Sequence, residues 1–174
     1  IQTAFGQNVL HDESSWSLLL RDEAELAGLP GFVRSAARTA AQQRGLGDVH
    51  AITLSRSSIV PFLTFSERRD LREQAWRAWV GRGAHAGEHD NRPLIGRILQ
   101  LRQEQARLHG YATYADYALV DRMARTPAAV DRLLDDVYER AKSALVRERA
   151  SLEAVQRAAG DATPMEPWDW RYWA

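Results

Sequence analysis

Apolar positions recur at helical spacing through most of the chain, and glycine or proline punctuates almost every run. Residues 3–27 carry Phe5, Val9, Leu10 and Trp16, then the run Leu18-Leu19-Leu20. The first half predicts a helix. The run from Trp16 to Leu20 could be a short buried strand, because periodicity does not type so short a run. Gly28-Leu29-Pro30-Gly31 is ordinary stop chemistry, and the Ala-rich stretch 31–44 predicts a helix closed by Gly45-Leu46-Gly47. Val49 to Phe65 is the one β-like region, with Ile52, Thr53, Leu54, Ile59, Val60, Phe62 and Phe65 of strand type. Pro61 pushes its second half toward an edge strand or loop. A small hairpin or ribbon near residues 49–65 is the expectation.

From Ser66 onward the pattern is helical. Ser66 is placed as an N-cap, and Leu71, Ala75, Trp76, Trp79 and Val80 form a stripe. Gly81, Gly83 and Gly87 open a loop. Pro93 begins a helix striped by Leu94, Ile98, Leu101 and Leu108, which Gly110 stops, and Thr113 opens a short helix with Tyr114, Tyr117 and Leu119. Thr126-Pro127 is a strong start signal, a capping hydroxyl followed by a proline pre-set for the first turn. Val130, Leu134, Val137, Ala141 and Leu145, then Leu152, Val155 and Ala159, share one face of a helix expected to exceed thirty residues, ended by Gly160. Helix lengths and stops differ, so no solenoid repeat is present. The fold class is mainly α with one small β element.

The closing run Glu166-Pro167-Trp168-Asp169-Trp170-Arg171-Tyr172-Trp173-Ala174 holds three of the six tryptophans. Trp and Tyr bring large buried areas and a polar atom needing a partner, whereas chain ends are usually poorly buried. The expectation is that this run either docks in a groove or continues into further protein.

Composition narrows the function classes. Lys+Arg and Asp+Glu are equal at 23 each, which gives no electrostatic footprint for nucleic acid or an anionic membrane. There is no cysteine, so disulfides, thiolate catalysis and Cys-based zinc sites are excluded, and a cytoplasmic setting is expected. Ile1 is followed by no basic-then-apolar leader, and no run approaches the ~20 apolar residues of a membrane span. The arginines, spread along the chain with Lys142 the only lysine, read as coding bias; an arginine clamp is the functional alternative.

His85-Ala86-Gly87-Glu88-His89 matches the inverted zinc-peptidase pattern H-x-x-E-H. That chemistry needs both histidines on one face of a rigid helix. Glycines surround the match, and Asp90-Asn91-Arg92-Pro93 follows, which is loop composition. The spacing is read as accidental. His11, His50 and His109 are isolated. Asp22, Glu23, Glu25, Asp135 and Asp136 read as solvated faces, and the aromatic stripes Trp76/Trp79 and Tyr111/Tyr114/Tyr117 as helix packing before any ligand groove. No phosphate loop, Gly-x-Ser-x-Gly elbow or H-E-x-x-H occurs. No nucleophile, base and charge-stabiliser assemble. The residues therefore assign no catalytic, cofactor-binding or metal-ligating position.

Several runs in register resemble a known family. Phe5-Gly6-Gln7-Asn8-Val9-Leu10, Asp22-Glu23-Ala24-Glu25-Leu26-Ala27-Gly28-Leu29-Pro30, Arg69-Asp70-Leu71-Arg72-Glu73, Asp90-Asn91-Arg92-Pro93, Gly110-Tyr111-Ala112-Thr113-Tyr114-Ala115-Asp116-Tyr117, Met123-Ala124-Arg125-Thr126-Pro127 and Glu166-Pro167-Trp168-Asp169-Trp170 are similar to the M3 zinc metallopeptidases. The branch is that of peptidyl-dipeptidase and oligopeptidase A. Trp173 departs from the tyrosine expected there. The resemblance implies a helical segment of the thimet oligopeptidase-like fold, two lobes around a deep cleft, with zinc on an H-E-x-x-H helix and a further Glu. It implies that residues 1–174 are a single helical fragment of that larger enzyme, lacking the zinc-binding catalytic half. Zinc and short peptide substrates then belong to the intact parent, with no zinc expected on this fragment, no activity of its own, and self-association through exposed core surface left open. The alternative is a stand-alone helical module binding a peptide or protein, with the Trp168–Trp173 run as anchor.

Overall fold

A computed structural model describes residues 1–174. In chain order the elements are α1 (Gln2–Ser15), β1 (Leu18–Leu20), α2 (Gly31–Gln43), β2 (His50–Ile52), α3 (Arg56–Phe65), α4 (Arg69–Val80), α5 (Arg92–Leu108), α6 (Tyr114–Leu119), α7 (Pro127–Ala158) and α8 (Trp170–Trp173). The protein is mainly α with one two-stranded antiparallel ribbon, as the pattern predicts. It divides into two compact units, residues 3–91 with 152–174, and residues 1–2 with 92–151.

The core of the first unit forms around the ribbon. Leu18 pairs with Ile52 and Leu20 with His50. Leu18, Leu20 and Ile52 are buried together with Val33 and Ala37 of α2, Ile59, Phe62 and Leu63 of α3, and Leu71 and Ala75 of α4. On α2 the buried positions are Val33, Ala37 and Ala41, one residue per turn, and the two alanines let the backbone sit close to β2.

The 49–65 region differs from its expected form. Its strand is short, its partner is the distant Leu18–Leu20, and Arg56–Phe65 is a helix that includes Pro61. The reason is periodic. Ile59, Phe62 and Leu63 fall at i, i+3 and i+4 and are all but fully buried, a helical face built from strand-type residues. The Ser55 carbonyl accepts from the Ser58 and Ile59 N–H groups and starts the helix. Pro61 forfeits one backbone hydrogen bond, which this burial outweighs. Ser66 is likewise not the N-cap of α4, which is Arg68. Ser66 closes α3, its N–H bonded to the Phe62 carbonyl and its Oγ accepting from Arg68 N–H at 3.3 Å.

Gly28 fixes the approach of the β1–α2 connection to the end of α3. Its φ is +79°, and a Cβ there would stand 2.3 Å from the Phe65 carbonyl oxygen. Glu67 N–H donates to the Ala27 carbonyl beside it. Gly28→Ala should lower stability by at least about 1–2 kcal/mol from the left-handed conformation alone. Chemical denaturation should show this, whereas Gly45→Ala, which meets no atom within 4 Å, should cost less.

In the second unit Thr113 Oγ1 caps α6 by accepting from Asp116 N–H at 3.1 Å. α7 begins at Pro127 behind Thr126 and runs 32 residues. Residues 131–143 are exposed throughout. Gly160, with φ +87°, follows its end. In the first unit, buried Gln156 donates through Nε2 to Asp161 Oδ2 and to the Thr163 carbonyl, both at 3.0 Å, and so directs the segment leading to α8.

Candidate functional site

The densest polar constellation ties the aromatic C-terminal run to α4. Arg69 and Arg72 are three residues apart and share one face of that helix. Both reach Asp169, which is fully buried between Trp168 and Trp170. Arg69 Nη2 lies 2.7 Å from Asp169 Oδ2, and Arg72 Nη2 lies 2.8 Å from Oδ1. Glu166 N–H adds a third donor to Oδ2. Arg72, itself buried, also donates to the Ser66 and Trp168 carbonyls. Burial by itself would raise the Asp169 pKa. The hydrogen bonds from Arg69 and Arg72 outweigh it and hold the carboxyl below the usual carboxylate range. Nearby, Asp161 is pulled down to about 2 by hydrogen bonds from the Thr163 N–H and hydroxyl and from Gln156.

Aromatic contacts complete the clamp. Arg72 sits 4.1 Å from the Tyr172 ring centroid, Arg77 lies 5.0 Å from that of Trp168, and Trp76 meets Trp168 edge-on at 5.8 Å. The C-terminal run therefore docks, and α8 packs on α3. Trp168 Nε1 and Trp173 Nε1 are buried with no acceptor.

The H-x-x-E-H match lies between α4 and α5 on turns rather than on a helix. Gly83 and Gly87 have φ of +70° and +136°. His89 stacks on His11 of α1 at 3.6 Å between centroids, with its Nδ1 3.3 Å from Asn8 Oδ1. His85 Nε2 is 4.0 Å from Asp12 Oδ2, which also accepts from Gly83 N–H at 2.7 Å. Buried Asn91 joins the same surface by donating to the Phe5 carbonyl and accepting from Asn8. These histidines serve the docking of α1, a helix with no buried residue of its own.

The other candidates are local. Asp22 Oδ1 accepts from Glu25 N–H, and Glu23 and Asp136 pair with Arg34 and Arg140. In the second unit Tyr111, Tyr114 and Tyr117 line an open cleft of about 420 Å³ with Gln105 and Asp121. His109 stacks on Tyr117 at 4.7 Å, and Arg102 lies 5.1 Å from the Tyr114 ring centroid. A cleft of about 330 Å³ lies between α2 and the start of α3, lined by Phe32, Val33, Arg44, Thr53 and Ser58 among others.

The sequence of residues 62–174 matches the model of peptidase family M3. The chain belongs to that family. It is 37% identical over 173 residues to oligopeptidase A of Haemophilus influenzae, covering 97% of this chain and 25% of that protein. It is 35% identical over 174 residues to oligopeptidase A of Escherichia coli, covering 98% and 25%. It is 30% identical over 174 residues to dipeptidyl carboxypeptidase of Escherichia coli, covering 100% and 26%. The M3 chain thus spans about a quarter of the length of the curated relatives it matches.

The zinc implied for M3 peptidases does not fit the residues of this M3 chain. His85 and His89 are engaged separately, and no three His, Asp or Glu side chains converge to hold a metal. The buried Asp169 has both oxygens occupied by donors and is a structural charge. It escapes a reading by pattern because it lies a hundred positions from Arg69. The available signals were two arginines one turn apart on α4 and an aspartate between two tryptophans.

Proposed function

We propose that this chain is a scaffold and cleft-wall segment of a zinc-dependent M3 oligopeptidase or peptidyl-dipeptidase that hydrolyses short peptides in the cytoplasm, and that the 174-residue chain alone is inactive. The carrying observation is the match itself. Relatives named as peptidases align along nearly all of this chain, yet it spans a quarter of their length. On this reading the zinc ligands and the water-activating carboxylate lie in the part of a family-length protein outside this segment. In this segment buried charge is spent on holding the C-terminal aromatic run against α4.

A peptidase assay on quenched fluorescent peptides with added zinc tests the reading. No turnover is expected. Turnover that survives replacement of His85 and His89, in a sample shown by mass spectrometry to hold no longer species, would overturn it. A second reading, a helical module that binds another chain, has one observation in its favour, the exposed apolar face of α7.

A further inference from the structure

α1 has no buried residue, so its attachment rests on a polar seam with the loop of residues 81–91. Buried Asn91 holds the first turns, donating to the Phe5 carbonyl at 3.0 Å and accepting from Asn8 Nδ2 at 2.9 Å. At the other end Asp12 accepts from Gly83 N–H, Glu13 pairs with Arg82, and Arg44 donates to the Glu13 and Trp16 carbonyls. Between these contacts the rings of His11 and His89 stack, with centroids 3.6 Å apart and planes inclined by 26°. His89 Nδ1 stands 3.3 Å from Asn8 Oδ1, which sets the turn of its ring. The seam therefore places two side chains of the type that changes charge near neutral pH face to face, one on each of the parts it joins.

We propose that α1 is a strap released by mild acid, with the stack of His11 on His89 as its gate. Two neutral imidazoles stack, and one charged ring on a neutral one also holds. With both rings protonated, two like charges stand face to face, and docking alone brings them there. Undocking separates them, so the doubly protonated chain favours release. The other charged groups of the seam do not offset this. Asp12 neighbours His11 on α1, and Glu88 and Asp90 flank His89 in the loop, so each accompanies its histidine whether α1 is docked or not. Glu13 is matched by Arg82. His85 Nε2, 4.0 Å from Asp12 Oδ2, acts the other way on protonation, but its side chain is 62% exposed and such a pair is weak. The docked strap is therefore stable where the imidazoles are neutral, and is lost as pH falls through the ordinary histidine range near about pH 6.5. A strap that stays docked in mild acid would leave the scaffold reading intact, and peptidase turnover would leave the strap intact.

Hydrogen exchange of the full chain, followed by mass spectrometry and corrected for the intrinsic pH dependence of exchange, tests the gate. A helix of 14 residues is marginal once undocked, so its amides report attachment. From about pH 7.5 to about pH 5 the amides of α1 should lose protection about tenfold or more, while those of α3 keep theirs. His11→Phe keeps a ring at an exposed position and removes one charge, so α1 should stay protected at both pH values. His89→Phe should do the same. His85→Gln removes the opposing pair and should leave the loss in place or enlarge it. Asn91→Ala removes the buried hub, and α1 should then exchange faster at both pH values, which shows that the readout follows docking. Equal protection of α1 at both pH values in the wild-type chain, a loss that survives His11→Phe, or one that vanishes with His85→Gln would overturn the histidine gate.

Discussion

Asp169→Ala is expected to lower the unfolding free energy by about 3–5 kcal/mol, the range seen when one partner of a buried ion pair is removed. The cost falls mainly on Arg72. Its side chain is 3% exposed, and without the carboxylate it becomes a buried charge with only carbonyl acceptors. Arg69 contributes less, because its side chain is 37% exposed and water screens it. Loss of the clamp also frees Trp168 and Tyr172 from the arginines that cover them. Tryptophan fluorescence should then report release of the C-terminal run at lower denaturant than loss of helix. Urea titration by both probes is the measurement, and a loss under about 1 kcal/mol, the worth of a surface pair, would show that the clamp is not a buried charge system.

The same carboxylate sets a pH dependence of known sign. Its folded pKa lies below its unfolded value, so its stabilisation is complete above the ordinary aspartate pKa of about 3.9 and disappears as pH falls through the folded value. Asp161, at about 2, acts in the same direction. The wild-type chain should lose stability on acidification below about pH 4, and Asp169→Asn should flatten that loss.

Elements set by local chemistry were legible in the sequence. Thr126-Pro127 and Gly160 bracket α7, and Thr113 caps α6, because each signal acts within one helical turn. The ribbon was legible as to type but not as to partner. Leu19 pairs with Ala51, and no pattern within either run encodes the other. The glycines around His85 and His89 correctly argued against a rigid ligand helix, yet nothing local announced the stack of His89 on His11. Family membership was legible because it summed many weak runs. The Asp169 clamp was not, because its members are distant and its charges are buried against the usual rule.

Phe62→Ala is expected to cost about 3–5 kcal/mol and Leu63→Ala about 2–5 kcal/mol, and the second value carries the structural argument. As a strand, residues 59–65 would alternate, so a core-facing Phe62 would turn Leu63 toward solvent and its truncation would cost little. As the helix α3, Phe62 and Leu63 both face the core, at 0% and 1% exposure. α3 packs against α2, β2, α4 and α8, so a cavity there loosens the ribbon and the C-terminal run together. Phe65 provides the internal contrast. It is 38% exposed and meets only the edge of Phe32 at 6.0 Å within the aromatic set, so Phe65→Ala should cost less than either. Equilibrium denaturation of the three variants ranks them directly. A loss for Leu63→Ala smaller than that for Phe65→Ala would contradict the helical face and return the segment to the alternating pattern of a strand.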